Sequence, residues 1–152
     1  MYYTNVPSPV FQKVGIIEKN RLTTMKLPIL PLPPVQILVV DDHPEIRQII
    51  AEMLSLEGYR VQQAESGTMA LELLRQSTPD LILSDINMPE MDGITFHKEL
   101  QQNPRWSNIP FIFTISDNSS QVIQSIRQAG VNDYLVKPVD YSELARMVNA
   151  RL

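Results

Sequence analysis

From Gln36 onward, short apolar runs alternate with amphipathic segments, which is how parallel βαβ units read. Ile37–Val40 is apolar throughout, as suits a strand covered on both faces. The next stretch opens with Pro44, a residue suited to a first helical turn. It carries Ile46, Ile49, Ile50, Met53 and Leu54 on one face, and Gly58 closes it. Tyr59–Ala64 reads as a weaker second strand, and Ser66 can cap a helix carrying Ala70, Leu71, Leu73 and Leu74. Leu81–Leu83 is a third strand, followed by a loop through Asp92 and Gly93 and a helix with Ile94, Phe96, His97 and Leu100. Ile109–Ile115 is a fourth strand, Ser119–Gln128 a helix ended by Ala129 and Gly130, Tyr134–Val136 a fifth strand, and a last helix starts near Tyr141. This alternation predicts an α/β fold: one five-stranded parallel sheet, doubly wound, in the order 2-1-3-4-5.

Residues 1–35 show no sustained helical or alternating period, and they end in the proline-rich run Leu27–Pro34. Proline removes backbone donors and favours an extended chain. The segment reads as a flexible proline-rich N-terminal arm, a linker or leader, ahead of a domain spanning 36–152. A proline-rich ligand for a small recognition domain is the other reading of the same run.

Charge sharpens this division. The whole chain of 152 residues has a net charge of -4, but the arm holds four Lys+Arg and one Asp+Glu, whereas the domain holds nine and sixteen. An acidic domain argues against nucleic acid as the main partner, since phosphate binding relies on clustered Lys and Arg, so no direct DNA binding is expected. There is no cysteine, hence no disulfide framework and no thiolate chemistry. No run approaches the roughly 20 apolar residues of a membrane-spanning helix. The start of the chain also lacks a signal-peptide pattern, which makes a cytoplasmic location the expectation.

In doubly wound sheets the ligand site lies beyond the carboxyl ends of the strands. Strand one runs into Asp41 and Asp42, strand three into Asp85, and strand five into Lys137 and Pro138. These ends all point the same way, so the side chains can converge despite separations of 44 and 52 residues. Packed carboxylates repel one another, and a hard divalent cation among them lowers that cost, which predicts Mg²⁺. Taken singly, each residue also has an ordinary use: an Asp after a strand caps the next helix, and a strand-end Lys is solvated.

The stretches Ile37–Asp42, Leu81–Gly93, Ala129–Gly130 and Tyr134–Pro138 together resemble the receiver domain of two-component response regulators, and the resemblance covers 36–152. It implies the flavodoxin-like receiver fold, with Asp85 as phosphoacceptor and Asp41 and Asp42 as the acidic pair holding Mg²⁺ together with Asp85. It also implies that Asn87 offers its backbone carbonyl to the metal and that Lys137 contacts the phosphoryl group. The Asn87 side chain and Asp117 match positions that influence autodephosphorylation. Pro89, Gly93 and Pro138 are read as scaffold: Pro89 stiffens the turn, Gly93 takes a backbone setting that a side chain would disfavour, and Pro138 follows the family's Lys-Pro pattern, often a cis bond.

One position departs from the family pattern. Thr or Ser normally ends strand four, where its hydroxyl can reach a phosphoryl oxygen. Here, 30 residues on from Asp85 stands Ile115, with Thr114 and Ser116 on either side. Strand side chains alternate in direction, so spacing favours Ile115 at that position. A one-residue slip or bulge would instead bring Thr114 in as the switch hydroxyl, or Ser116 could serve from the loop. If Ile115 holds the position, the hydrogen bond that couples phosphorylation to shape is missing, and any signal through Tyr134, the family's inward-turning aromatic, is altered. His43 and His97 receive no catalytic role, since Mg²⁺ prefers oxygen and His97 sits beside a core-facing Phe96.

The leading expectation is a phosphorelay receiver that takes phosphate on Asp85 from a sensor histidine kinase or phosphotransfer protein and signals to a downstream protein target by phosphorylation-dependent contact. Pairing of two copies is left open. The alternative is a constitutive interaction module that keeps the fold without the switch, for which Ile115 is the support. A separate aspartyl-phosphate hydrolase or phosphotransferase is disfavoured, because such enzymes usually place a second acid where Asn87 stands. No enzyme activity is expected beyond slow self-dephosphorylation.

Overall fold

A computed structural model describes residues 8, 10–29 and 34–152. It divides into two units, Met1–Pro33 and Pro34–Leu152.

In the first unit, the expected arm without regular structure gives way to two antiparallel strands, β1 (Val10–Glu18) and β2 (Arg21–Ile29). Lys19 and Asn20 both take positive φ, 47° and 64°, which is the requirement of a two-residue type I′ turn. Asn tolerates that region because its short side chain hydrogen-bonds locally. The pattern escapes a periodicity reading because Phe11, Ile17 and Leu22 fall on the opposite face from Val10, Val14, Ile16, Met25, Leu27 and Ile29. Both faces therefore carry apolar residues. Of the proline-rich run, Leu27–Ile29 belong to β2, and Leu30–Pro33 lie outside the described residues.

The second unit runs β3 (Gln36–Val40), α1 (Pro44–Leu56), β4 (Arg60–Ala64), α2 (Gly67–Gln76), β5 (Leu81–Asp85), α3 (Gly93–Gln101), β6 (Phe111–Ile115), α4 (Ser120–Gln128), β7 (Tyr134–Val136) and α5 (Tyr141–Arg151). Its five strands are parallel in the order β4-β3-β5-β6-β7, the predicted doubly wound arrangement.

Alternation along the strands feeds two apolar layers. Leu38, Val40, Ile82, Phe111, Phe113 and Ile115 pack with Ala70, Leu74, Phe96, Leu100 and Ile126 of α2, α3 and α4. On the other face Ile37, Val39, Leu81, Leu83, Ile112 and Leu135 pack with α1 and α5 through Ile50, Leu54, Leu144 and Val148. Helix starts follow capping chemistry: Ser66 Oγ accepts from Met69 N–H, Asp92 Oδ1 from Thr95 N–H, and Asp140 Oδ2 from Glu143 N–H. Gly58 and Gly130 end α1 and α4 in the left-handed region, at φ 90° and 85°.

Candidate functional site

Because β3, β5 and β7 are parallel members of one sheet, their carboxyl ends share one edge of it. Asp41 follows β3, Asp85 is the last residue of β5, and Lys137 follows β7. Lys137 Nζ lies 2.8 Å from Asp41 Oδ2 and 3.1 Å from Asp85 Oδ2. All three side chains are buried or nearly so, at 9%, 1% and 4% exposure respectively.

The remaining oxygens have local partners. Asp41 Oδ1 accepts the His43 N–H at 2.9 Å, so the helix-start use of this Asp and its place in the cluster coexist on its two oxygens. Asp85 Oδ1 accepts the Asn87 N–H at 3.4 Å, and Asn87 itself is exposed. Arg47 Nη1 donates to the Asp41 carbonyl at 2.7 Å, which pins the turn between β3 and α1. Asp42 is different: its Oδ1 is buried and has no hydrogen-bond partner.

Burial pushes the Asp85 carboxyl above its ordinary value of 3.8; Lys137 opposes this and Asp41 adds to it. Burial by itself would lower the Lys137 ammonium, but the Asp41 and Asp85 carboxylates outweigh it and raise it above 10.5. The cluster is thus held by one ammonium shared between two desolvated carboxylates, with a third carboxylate at its rim.

Ligand atoms of Asp41, Asp42, His43 and Asp85 all lie within 4.8 Å of one another. Three carboxylates supply hard oxygen donors, and the orphaned Asp42 Oδ1 is the kind of buried polar atom that a cation satisfies, so the residues present fit Mg²⁺. The His43 ring stands 3.3 Å from both Asp41 Oδ1 and Asp42 Oδ1. Sequence reasoning set it aside, and the only signal that could have flagged it was its place directly after the acidic pair.

The loop after β5 carries a constraint that the expectation for Gly93 misplaced. Gly93 does not occupy a positive φ; a Cβ there would lie 2.2 Å from the Asp85 carbonyl oxygen and 2.8 Å from Ile86 Cα. The backbone approaches too closely for any side chain, and the Gly93 N–H donates to the Ile86 carbonyl at 2.7 Å. The loop also holds Glu90 at φ 67°, which no sequence signal marked. The Lys137–Pro138 bond is cis, as its Lys-Pro pattern implies.

At the end of β6 the pairing of both Thr114 and Ile115 is regular. Asp85 pairs with Thr114 and Ile115 with Val136, with no interruption on either side of the strand. No slip or bulge interrupts these pairings. Thr114 is buried and shares its parity with Ile112, whereas Ile115, 1% exposed, packs with Phe113 in the layer under α2–α4. Ser116 is exposed in the loop. Tyr134 is half-buried against the same layer as Ile115.

His97 lies away from this edge. It is buried edge-on against Phe111, with ring centroids 4.8 Å apart, and its Nε2 is 3.3 Å from Gln101 Nε2. Burial lowers its imidazole below the ordinary 6.5, a packing role in line with the reading from sequence.

Residues 37–149 match the family described as the response regulator receiver domain. The chain belongs to that family. This receiver is 38% identical over 118 residues to the chemotaxis protein CheY of Bacillus subtilis (strain 168), covering 77% of this chain and 97% of that protein. It superposes on the Vibrio cholerae chemotaxis protein CheY4 with a TM-score of 0.75 at 30% identity, covering 79% of this chain and all of that one. A 36% identical match to the autoinducer sensor kinase/phosphatase CqsS of Vibrio cholerae spans 76% of this chain but only 17% of that protein, so the same domain also occurs as a small part of longer chains. Receiver domains of two-component systems bind Mg²⁺ at an acidic pocket and are generally non-enzymatic phosphoacceptors that interact with histidine kinases or phosphotransfer proteins and with downstream targets. Among the described residues no helix is long and apolar enough to cross a membrane.

Proposed function

We propose that this receiver accepts a phosphoryl group on Asp85 from a phosphohistidine of a sensor histidine kinase or phosphotransfer protein. The observation that carries the reading is the convergence of Asp85, Asp41 and Lys137 within hydrogen-bond distance at one sheet edge, next to the unsatisfied Asp42. An Asp85 carboxylate oxygen forms the new O–P bond while the P–N bond to the donor imidazole breaks, and the imidazole leaves with a proton from solvent. Lys137 is already beside Asp85 Oδ2, where its charge offsets the negative charge carried onto the acyl phosphate. Asp41, Asp42 and Asp85, with the Asn87 carbonyl, would hold Mg²⁺, which supplies positive charge to the phosphoryl oxygens when bound. Burial of Asp85 keeps competing water away, and the Asn87 side chain and Asp117 match the family positions that influence autodephosphorylation.

The output is protein contact with a downstream target. A constitutive interaction module is the second reading, and the apolar Ile115 at the end of an unbroken β6 favours it. Incubation with acetyl phosphate and Mg²⁺, read on a phosphate-affinity gel, tests the acceptor: Asp85→Asn should take no label, and undiminished labelling of that variant would sink the assignment. Beryllofluoride titration followed by intrinsic fluorescence of Tyr134 and Trp106 separates the two readings, because a binding-competent domain with no spectral response is the constitutive one.

A further inference from the structure

The hairpin formed by β1 and β2 poses a problem that its own residues do not solve. A two-stranded ribbon is marginal in water, and stability comes with further strands or a covered face. In a two-residue type I′ hairpin the residues flanking the turn, Glu18 and Arg21, form a hydrogen-bonded pair, and such pairs alternate along the ladder. Val10, Gln12, Val14, Ile16 and Glu18 therefore spend their backbone groups on β2. Phe11, Lys13, Gly15 and Ile17 turn theirs outward.

The two outer edges differ. On β2 the outward positions are Leu22, Thr24, Lys26 and Pro28, so that edge is interrupted by a residue with no N–H, and Lys26 is already engaged over the Phe11 ring at 5.2 Å from its centroid. On β1 the outward positions include no proline and no bulge. Lys13 is the one charged residue among them, and an edge without proline or bulge can add a strand from another chain.

We propose that the outer edge of β1 pairs antiparallel with β1 of a second copy, making a four-stranded sheet across a two-fold axis at Val14. The side-chain sequence selects this occupant and this register. Centred on Val14, all four outward residues pair at once: Phe11 meets the partner's Ile17, and Lys13 meets the partner's Gly15, which leaves room for the lysine stem. A register shifted by one outward position toward the turn sets glycine against glycine; one shifted the other way sets Lys13 against the partner's Lys13. The register with full overlap is thus also one in which the two lysines do not face each other directly, and it covers Ile17 and Phe11, which are 78% and 46% exposed in the single chain. It makes about eight interchain hydrogen bonds and joins the Val10, Val14 and Ile16 rows of two hairpins into one apolar face. Two receiver domains would then be carried on one assembly, whatever their phosphorylation state.

The absence of cysteine gives a clean test with the full chain. Val14 pairs with the partner's Val14 at a position without mutual hydrogen bonds, where Cα atoms approach to about 4.5 Å, inside the range a disulfide spans. Val14→Cys should cross-link into dimers under mild oxidation much faster than Thr24→Cys on the outer edge of β2. In sedimentation equilibrium the wild type should show a concentration-dependent dimer. Gly15→Lys sets like charges opposite Lys13 twice and should weaken that dimer by about tenfold. A Cβ at Gly15 meets only Leu22 Cδ1 at 3.6 Å, ordinary contact, so the hairpin itself accommodates the change. Adding Lys13→Glu to Gly15→Lys should restore the dimer. A wild type that stays monomeric, cross-linking no faster at Val14→Cys than at Thr24→Cys, or a dimer indifferent to Gly15→Lys would each overturn the proposal, the last two pointing to another surface and the first to pairing with a different chain.

Discussion

Replacing Lys137 by Met would keep a long apolar stem at the sheet edge while removing the one charge that bridges Asp41 and Asp85. Both contacts are short, 2.8 and 3.1 Å, and both carboxylates are almost fully buried. Removing one partner of a buried pair costs roughly 3–5 kcal/mol, because the charge left behind is desolvated and unpaired. The lower end, about 3 kcal/mol, is expected here, since the edge is open to solvent at Asp42, 27% exposed, and since Asp85 can escape by taking up a proton. That escape sets the pH dependence. Burial already raises the Asp85 carboxyl above 3.8, and Lys137 is the main group opposing the rise. Without Lys137 the folded-state value climbs further, so the folded protein binds this proton more tightly than the unfolded chain does. The cost is then full at neutral pH and above, and it fades as pH falls toward 3.8. Urea denaturation followed by Trp106 fluorescence in EDTA, at several pH values, measures it. Mg²⁺ supplies a second arm: a cation held at 100 times its dissociation constant adds about 2.7 kcal/mol, and the variant, with three uncompensated carboxylates, should gain more from it than the wild type. A deficit below about 1 kcal/mol, one unchanged between pH 7 and pH 4, or one indifferent to Mg²⁺ would refute the view that this lysine neutralises a metal-ready acidic cluster.

Gly93→Ala should be destabilising by about 1–3 kcal/mol and should slow labelling of Asp85 by acetyl phosphate, because its Cβ must displace the Asp85 carbonyl from 2.2 Å; equal urea midpoints for variant and wild type would contradict this. Ile115→Thr should lower stability by about 1–3 kcal/mol, through a hydroxyl in an apolar layer, yet enlarge the beryllofluoride-induced change in Tyr134 fluorescence, and a response no larger than the wild type's would count against position 115 as the switch position. For His97, burial lowers the folded-state value below 6.5, so its contribution to stability is present above pH 6.5 and lost as pH falls through the folded value; His97→Gln should flatten the stability profile in that acidic window, as read by urea titrations from pH 7 to pH 5.

Much of the sheet was readable because its strands are covered on both faces. Ile37–Val40, Leu81–Leu83 and Phe111–Phe113 are apolar at every position, as a parallel strand covered on both faces requires. Parallel strands with right-handed crossovers leave the doubly wound order as the natural arrangement, and that order in turn puts Asp41, Asp42, Asp85 and Lys137 on one edge. The hairpin escapes a periodicity reading for the complementary reason: both of its faces carry apolar residues, and its Lys19–Asn20 turn lacks the glycine that marks the commonest two-residue loops.

What the amino-acid sequence determined alone is whatever depends on chemical type and short-range period: the βα alternation, the receiver resemblance, the strand-end carboxylates and lysine, and an acidic domain beside a basic N-terminal segment. Tertiary structure decided what depends on separations of ångströms between distant segments. Register placed Ile115 rather than Thr114 beyond the level of Asp85, a backbone crossing made Gly93 obligatory for space and not for φ, and packing left one oxygen of Asp42 without a hydrogen-bond partner. The physical reason is that periodicity reports which way a side chain points, whereas hydrogen bonding, burial and close approach depend on what the rest of the chain brings to meet it.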